Sequence, residues 1–212
     1  LQARCGLLTA SEMRLIVTPT LKPASNDKER AHLYELLAQR ITDYVEPSYQ
    51  GGNMIRGHED EIYARIEYHE HFDPVRECGF VTNDKWGFKV GYSPDGLVGT
   101  KGAIECKSRV QKYQVRTILD GEVPEEYILQ IQTGMLVAEL EWIDFISYCG
   151  GMPMVTIRCY PDERIQSAII EASSAFEERL SINLELYRNE ITKIRERKLI
   201  PTERRIIEDI RV

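Results

Sequence analysis

The 212-residue chain has no run near the roughly 18 consecutive apolar residues that a membrane span needs, which excludes a membrane-spanning protein as a reading of it. Cysteine is sparse: Cys5, Cys78, Cys106, Cys149 and Cys159 are scattered, odd in number and contain no CxxC pair. A disulfide framework or a zinc ribbon needs closer, paired spacing, so reduced thiols in a cytoplasm are expected. Internal repeats and low-complexity linkers are missing, and no signal peptide is visible. The chain opens on Leu1 rather than a methionine, so residues ahead of it are expected. Positive charge is in deficit, with 27 Lys and Arg against 34 Asp and Glu, a formal −7. That total weighs against a nucleic-acid partner, but a total says nothing about where charge sits. What is present is 42% hydrophobic residues, too many for a disordered chain and enough for one core of ordinary size.

Thr9-Ala10-Ser11-Glu12 reads as a capping box, starting a short helix that stops before Pro19. Two prolines and small polar residues over 18–26 predict a loop. From Asp27, Leu33, Leu36, Leu37, Ile41, Tyr44 and Val45 recur at helical spacing, and Pro47 and Gly51-Gly52 close that helix. A second helix is predicted over about 54–69, with Ile55, Ile62 and Ile66 on one side. The runs 76–82, 87–92 and 103–107, separated by turn residues, predict a β-meander. Helices over about 110–119 and 124–140, strands over 142–148 and 154–160, and a long charged helix over about 163–197 follow, with a break at Pro201. The expected architecture is a single α/β domain over 1–212 with a mixed central sheet flanked by helices.

The residues that carry chemistry are Ser93-Pro94-Asp95-Gly96 and Ile104-Glu105-Cys106-Lys107. Glu105 and Lys107 are two apart on a strand and leave the same face. Asp95 lies on the turn of the preceding strand pair, where a hairpin can set it beside Glu105. Two carboxylates and an ammonium then share a small volume. Oxygen donors suit Mg²⁺ or Mn²⁺, and the Cys106 backbone carbonyl can add one more. Lys107 can orient an activated water and offset charge on a phosphorane. Each half of the pattern alone is common; the two together, in order and on one hairpin, favour the functional reading.

Five ordered motifs carry a resemblance. They are Arg4-x-Gly6 with Thr9-Ala10-Ser11-Glu12, Arg56-Gly57 with Glu61, Ser93-Pro94-Asp95-Gly96, Glu105-Cys106-Lys107, and Gln130-Ile131-Gln132. In that order they resemble the phage λ exonuclease (YqaJ-like viral recombinase) family of the PD-(D/E)xK nuclease superfamily, over roughly 4–159. The resemblance implies a restriction-endonuclease-like core and a metal-dependent exonuclease. Such an enzyme digests duplex DNA from 5′ ends and releases 5′-mononucleotides. It implies Asp95, Glu105 and the Cys106 carbonyl as ligands of Mg²⁺, two ions per site, with Mn²⁺ as the alternative. Lys107 then serves the nucleophilic water, Glu61 supports metal-bound water, and Gln130 helps hold lysine and substrate. Arg4, Ser11 and Ser93 fall on the positions of a 5′-phosphate pocket. The family's arginine downstream of the motif lysine is Tyr113 here, so Arg109, with Lys112 nearby, is expected to replace it. The resemblance further implies a ring-shaped homotrimer, a single-strand annealing protein as partner in phage-type recombination, and the host bacterial cytoplasm.

His69-Glu70-His71 reads as a charged helix end, and Cys106, its thiol turned from the site, as core packing. The iron–sulfur nucleases built on this core need four spaced cysteines, a set this sequence lacks. Residues 101–116 hold five basic side chains against one acidic, a local +4, whereas 117–187 hold three against thirteen, −10. The strip beside the motif is therefore expected to meet phosphates. Two competing readings are a PD-(D/E)xK endonuclease and a non-catalytic DNA-end-binding module; the intact acid–acid–lysine set argues against the second.

Overall fold

The structure, a computed structural model, describes residues 2–47, 52–193 and 199–204. A 3-10 turn (Gln2–Arg4), strand β1 (Leu8–Thr9), a second 3-10 turn (Ala10–Glu12) and helix α1 (Met13–Ile16) form the start. The Glu12 carboxylate accepts the Thr9 N–H at 3.1 Å and its hydroxyl at 2.7 Å, so one side chain ties the turn. Helix α2 (Asp27–Thr42) is capped by Asn26, whose Oδ1 accepts from the amides of Lys28 and Glu29, both at 3.0 Å. Leu33, Leu36 and Leu37 are buried, as their spacing predicts. Asp43 ends the helix in the left-handed region at φ 48°, so Tyr44 and Val45 lie past it rather than on it. Gly51 is outside the described residues, and Gly52 opens the next helix instead of closing this one.

Helix α3 (Gly52–His71) turns its isoleucine side away from the core. Ile55, Ile62 and Ile66 are 56%, 54% and 47% exposed, while Ala64 and Tyr68 are fully buried. The small Ala64 allows a close approach to the sheet, which turns the isoleucine row outward.

The predicted meander divides between two sheets. Strands β2 (Val75–Arg76), β3 (Val81–Asn83), β4 (Val90–Tyr92), β5 (Gly96–Val98) and β6 (Gly102–Ser108) follow α3. After them come α4 (Gln111–Asp120), α5 (Glu125–Ala138), β7 (Trp142–Tyr148), β8 (Val155–Cys159) and α6 (Glu163–Thr192). One sheet has the order β1-β4-β3 and the other β2-β5-β6-β7-β8. Both are mixed: β1 with β4 and β6 with β7 are parallel, the remaining pairs antiparallel. The 76–82 run splits, its start edging the larger sheet and its end joining the smaller one. Strands of two or three residues are too short to display a period of two, so β1 and β5 are invisible to pattern.

Helix α5 lies at the centre, packed on β3, β4 and β7 on one side and on α1 and α6 on the other. Ile131, Met135, Phe145, Ile143 and Phe176 form the middle of that core. On the opposite face of β6, Ala64 and Tyr68 of α3 pack on Ile104, Cys106 and Ile146. The last part of the predicted 163–197 helix lies outside the described residues, and Pro201 sits in irregular chain. Among the described residues no helix is long and apolar enough to cross a membrane.

Candidate active site

Strand β6 carries the site because its two faces meet different partners. The hairpin register sets Gly96 opposite Ile104, so Asp95, one residue earlier, comes opposite Glu105. Asp95 Oδ2 accepts the Cys106 N–H at 2.6 Å. Ile104 and Cys106 face α3, and Glu105 and Lys107 face α5. Glu105 is 1% exposed, and its Oε1 accepts from Lys107 Nζ at 2.6 Å and from Gln130 Nε2 at 2.5 Å. Its Oε2 accepts from the Tyr92 hydroxyl at 3.0 Å. Lys107 also sits over the Tyr127 ring, 5.4 Å from its centroid. The structure thus brings Asp95, Glu105, Lys107 and Gln130 into one cluster. Glu61, on α3, takes Arg65 Nη2 at 3.2 Å and is near enough for its charge to act on Asp95.

The electrostatics follow from crowding. Burial, then the like charges of Glu105 and Glu61, push the Asp95 carboxyl well above the usual range, against the pull of Lys107 and the Cys106 amide. Burial presses Lys107 downward, but Glu105 outweighs it, and the ammonium is held above its ordinary value. Burial and the neighbouring Glu105 raise the Tyr92 phenol well above its ordinary value, so it stays a donor.

The donor set fits a hard divalent cation. Pairing with β5 stops at Ile104, and the Cys106 N–H turns instead to Asp95. In an extended strand the carbonyl of a residue leaves on the same side as its N–H, so the Cys106 oxygen faces the Asp95 side. Among the described residues no group of three His, Cys, Asp or Glu side chains is arranged to hold an ion. Two carboxylates and one carbonyl match Mg²⁺ better than a closed side-chain cage does, because Mg²⁺ keeps several of its waters.

Arg4 and Ser93 meet directly, Arg4 Nη2 donating to Ser93 Oγ at 2.6 Å. The guanidinium lies over Phe80, 5.4 Å from the ring centroid, and Phe80 covers Gly91 so closely that a methyl there would fall 2.0 Å from its Cζ. Gly6, at φ 65°, docks the segment on α2 through Gln39 Oε1 and Arg40 Nε, both at 2.8 Å. Ser11 is exposed, its hydroxyl 3.2 Å from that of Thr9. Arg109 and Lys112 lie elsewhere: with Arg56, Asp60 and Gln111 they line a cleft of about 600 Å³. Arg109 is mostly buried and donates from Nη1 to Glu126 at 2.8 Å and to the Tyr127 hydroxyl at 2.6 Å. The hydrogen bond to Glu126, with help from the Tyr127 hydroxyl and the guanidinium charge, holds the Glu126 carboxyl below the usual range.

The basic strip is largely neutralised in three dimensions, which corrects the local count. Lys101 pairs with Glu141 at 2.6 Å, Lys107 with Glu105 at 2.6 Å, Arg109 with Glu126 at 2.8 Å and Arg116 with Asp120 at 3.1 Å. Three of those partners come from the acidic segment, which folds back on the strip. Sequence reasoning also missed Tyr92 and Tyr127, which contact Glu105 and Lys107, and Asp60, which accepts from the Ser108 hydroxyl. A tyrosine in an apolar run gives no signal of where its hydroxyl goes; Gly134, mid-helix against Tyr92, was the available hint.

A hairpin presenting Asp95 beside Glu105-x-Lys107, on a mixed sheet between helices, defines the PD-(D/E)xK nuclease fold class. Residues 1–141 match the YqaJ-like viral recombinase domain, and the chain belongs to that family. An alkaline exonuclease (LHK-Exo) from Laribacter hongkongensis is 31% identical, with 91% of this chain and 96% of that one covered at TM-score 0.80. Its complex with dAMP matches at 32% identity, 91% and 97% coverage, and TM-score 0.81. A phage-related exonuclease from Haemophilus somnus 129PT, at 14% identity, 86% and 96% coverage and TM-score 0.62, shares the fold. Comparison with curated protein sequences gives no match.

Proposed function

We propose that this chain is a Mg²⁺-dependent 5′-to-3′ exonuclease of double-stranded DNA ends, releasing 5′-mononucleotides and leaving a 3′ single strand. The observation that carries the reading is the convergence of Asp95, Glu105 and Lys107 around β6, with Gln130 on the same carboxylate. The relative solved with dAMP holds a mononucleotide, the class of product this reading assigns here.

Asp95, Glu105 and the Cys106 carbonyl would hold one or two Mg²⁺, or Mn²⁺, with Glu61 acting through water. When bound, the metal lowers the pKa of the attacking water and stabilises charge developing on the phosphate. Lys107, held beside the site by its ion pair to Glu105 at 2.6 Å, orients the water and offsets negative charge. Gln130 donates to the Glu105 oxygen that Lys107 also uses, and so helps hold the lysine in place. Attack by water breaks the bond from phosphorus to the 3′ oxygen. The released nucleotide keeps its 5′-phosphate, and the next nucleotide is left with one. Arg4, Ser93 and Ser11 receive that new phosphate, as guanidinium and hydroxyl donors suit it, while Arg109 and Lys112 contact DNA from the adjoining cleft. Continuous digestion is assigned to a ring-shaped homotrimer that threads the duplex. Its 3′ strand passes to a single-strand annealing protein in the cytoplasm of a bacterial host.

Linear duplex labelled at one defined end, digested with and without Mg²⁺, tests the reading. Mononucleotides released first from the 5′ label, with supercoiled circles intact, are expected. Internal cuts in circles would establish an endonuclease instead, and binding without cleavage a DNA-end-binding module.

A further inference from the structure

Tyr92 ends β4 in the three-stranded sheet, yet its hydroxyl crosses to β6 in the five-stranded one and donates to Glu105 Oε2 at 3.0 Å. It is 1% exposed, so it touches no substrate itself. The other oxygen of Glu105 takes both Lys107 and Gln130. A carboxylate oxygen has about two lone-pair sites, so Oε1 is filled and Oε2 has one left over. The terminal torsion of a glutamate is soft, and donors on both oxygens are what fix its plane.

The ring reaches this position only because α5 has a glycine where it passes. A methyl group at position 134 would fall 2.7 Å from Tyr92 Cζ. Glycine inside a helix costs about 1 kcal/mol relative to alanine, so its place opposite the ring has a compensating use.

We propose that Tyr92 is a positioning residue for Glu105, seated by Gly134, which fixes the carboxylate in the orientation in which it would hold a divalent cation. The inference rests on the nuclease reading above. Hydrogen-bond partners of metal-ligating carboxylates set their orientation, and their removal typically costs about 10–100-fold in metal affinity or activity.

The test uses the full chain as wild type, Tyr92→Phe and Gly134→Ala. Mn²⁺ alone is titrated and its free fraction read by electron paramagnetic resonance; kcat and KM are then measured on linear duplex with Mg²⁺. Tyr92→Phe keeps the ring and is expected to retain the wild-type circular dichroism. Its Mn²⁺ Kd should weaken and its kcat fall, each by about tenfold or more, with KM for duplex within about twofold of wild type. Gly134→Ala, which displaces the ring while favouring the helix, should shift Mn²⁺ binding in the same direction. Mn²⁺ affinity and kcat both within twofold of wild type in Tyr92→Phe, or an effect confined to KM, would overturn the proposal. If Tyr92→Phe fails to fold, Gly134→Ala decides: weakened Mn²⁺ binding supports the proposal and unchanged binding overturns it. A wild type that binds no Mn²⁺ and cuts no duplex overturns the nuclease reading itself, an outcome visible before any variant is compared.

Discussion

Lys107 has a carboxylate at 2.6 Å and an aromatic face at 5.4 Å, which together hold its ammonium in place and in charge. Lys107→Ala removes that donor and leaves the surface that grips the duplex almost intact. Cleavage should fall by about 10²–10³-fold or more, while Kd for duplex changes by about twofold or less. Single-turnover digestion and a filter-binding isotherm on the same DNA read the two numbers, and wild-type turnover would sink the role. Arg4 acts at the other end of the reading. Arg4→Ala should lower the preference for 5′-phosphorylated over 5′-hydroxyl duplex by about tenfold, the worth of one charge-assisted hydrogen bond. Equal wild-type rates on both ends would refute the pocket. At this scale the acidic pair and the lysine were legible because strand geometry dictates their spacing. Tyr92 and Tyr127 were not, because their hydroxyls act across sheet and helix boundaries that no sequence spacing encodes. Arg109 and Lys112 were found as cations, but their cleft with Arg56 depends on how α3 and α4 meet.

Helices and strands were legible in proportion to their length. β7 falls on the predicted 142–148 run because seven residues of apolar pattern bridge its whole width, whereas β1, β2 and β5 have two or three residues each. The outward turn of Ile55, Ile62 and Ile66 shows a limit of periodicity: a helix can present its isoleucines or its alanine, and packing chooses. Beside its apolar packing on β6, α3 has a polar anchor. Tyr68 donates to Asp144 Oδ2 at 2.6 Å, and Arg158 holds both oxygens of that carboxylate at 2.8 and 2.9 Å while stacking on Trp142 at 3.7 Å. Asp144 is buried and Arg158 half-exposed, so part of the attraction is screened by water. Asp144→Ala should therefore cost about 2–3 kcal/mol, less than a fully buried pair, and Tyr68→Phe about 1 kcal/mol. Urea unfolding followed by tryptophan fluorescence and circular dichroism measures both. A decrease under 0.5 kcal/mol, on the order of an ordinary surface substitution, in Asp144→Ala would show that apolar packing alone fixes α3.

For the whole molecule, the net −7 conceals a chain whose acidic segment is folded onto its basic strip through Lys101–Glu141, Arg109–Glu126 and Arg116–Asp120. The response of stability to high pH lies with buried acids elsewhere. Burial pushes the Cys159 thiol, ordinarily near 9, up to about 11, and burial with the Asp144 hydrogen bond raises the Tyr68 phenol. Both are acids that the folded chain keeps protonated when the unfolded chain has released its proton. The folded state then binds more protons, so stability must fall as pH rises through that window. The contribution of Cys159 is complete below pH 9 and lost by about 11. Discounted for its partial exposure, it is on the order of 1–2 kcal/mol. Urea midpoints in reductant and EDTA at pH 8.5 and 10.5 should therefore drop for the wild type and drop less for Cys159→Val, which has no proton to hold. Tyr68→Phe should flatten the same decline at its upper end, at the expense of its lower starting stability. Parallel declines in wild type and Cys159→Val would place the alkaline destabilisation in other groups, leaving Cys159 as simple packing between β8 and the core.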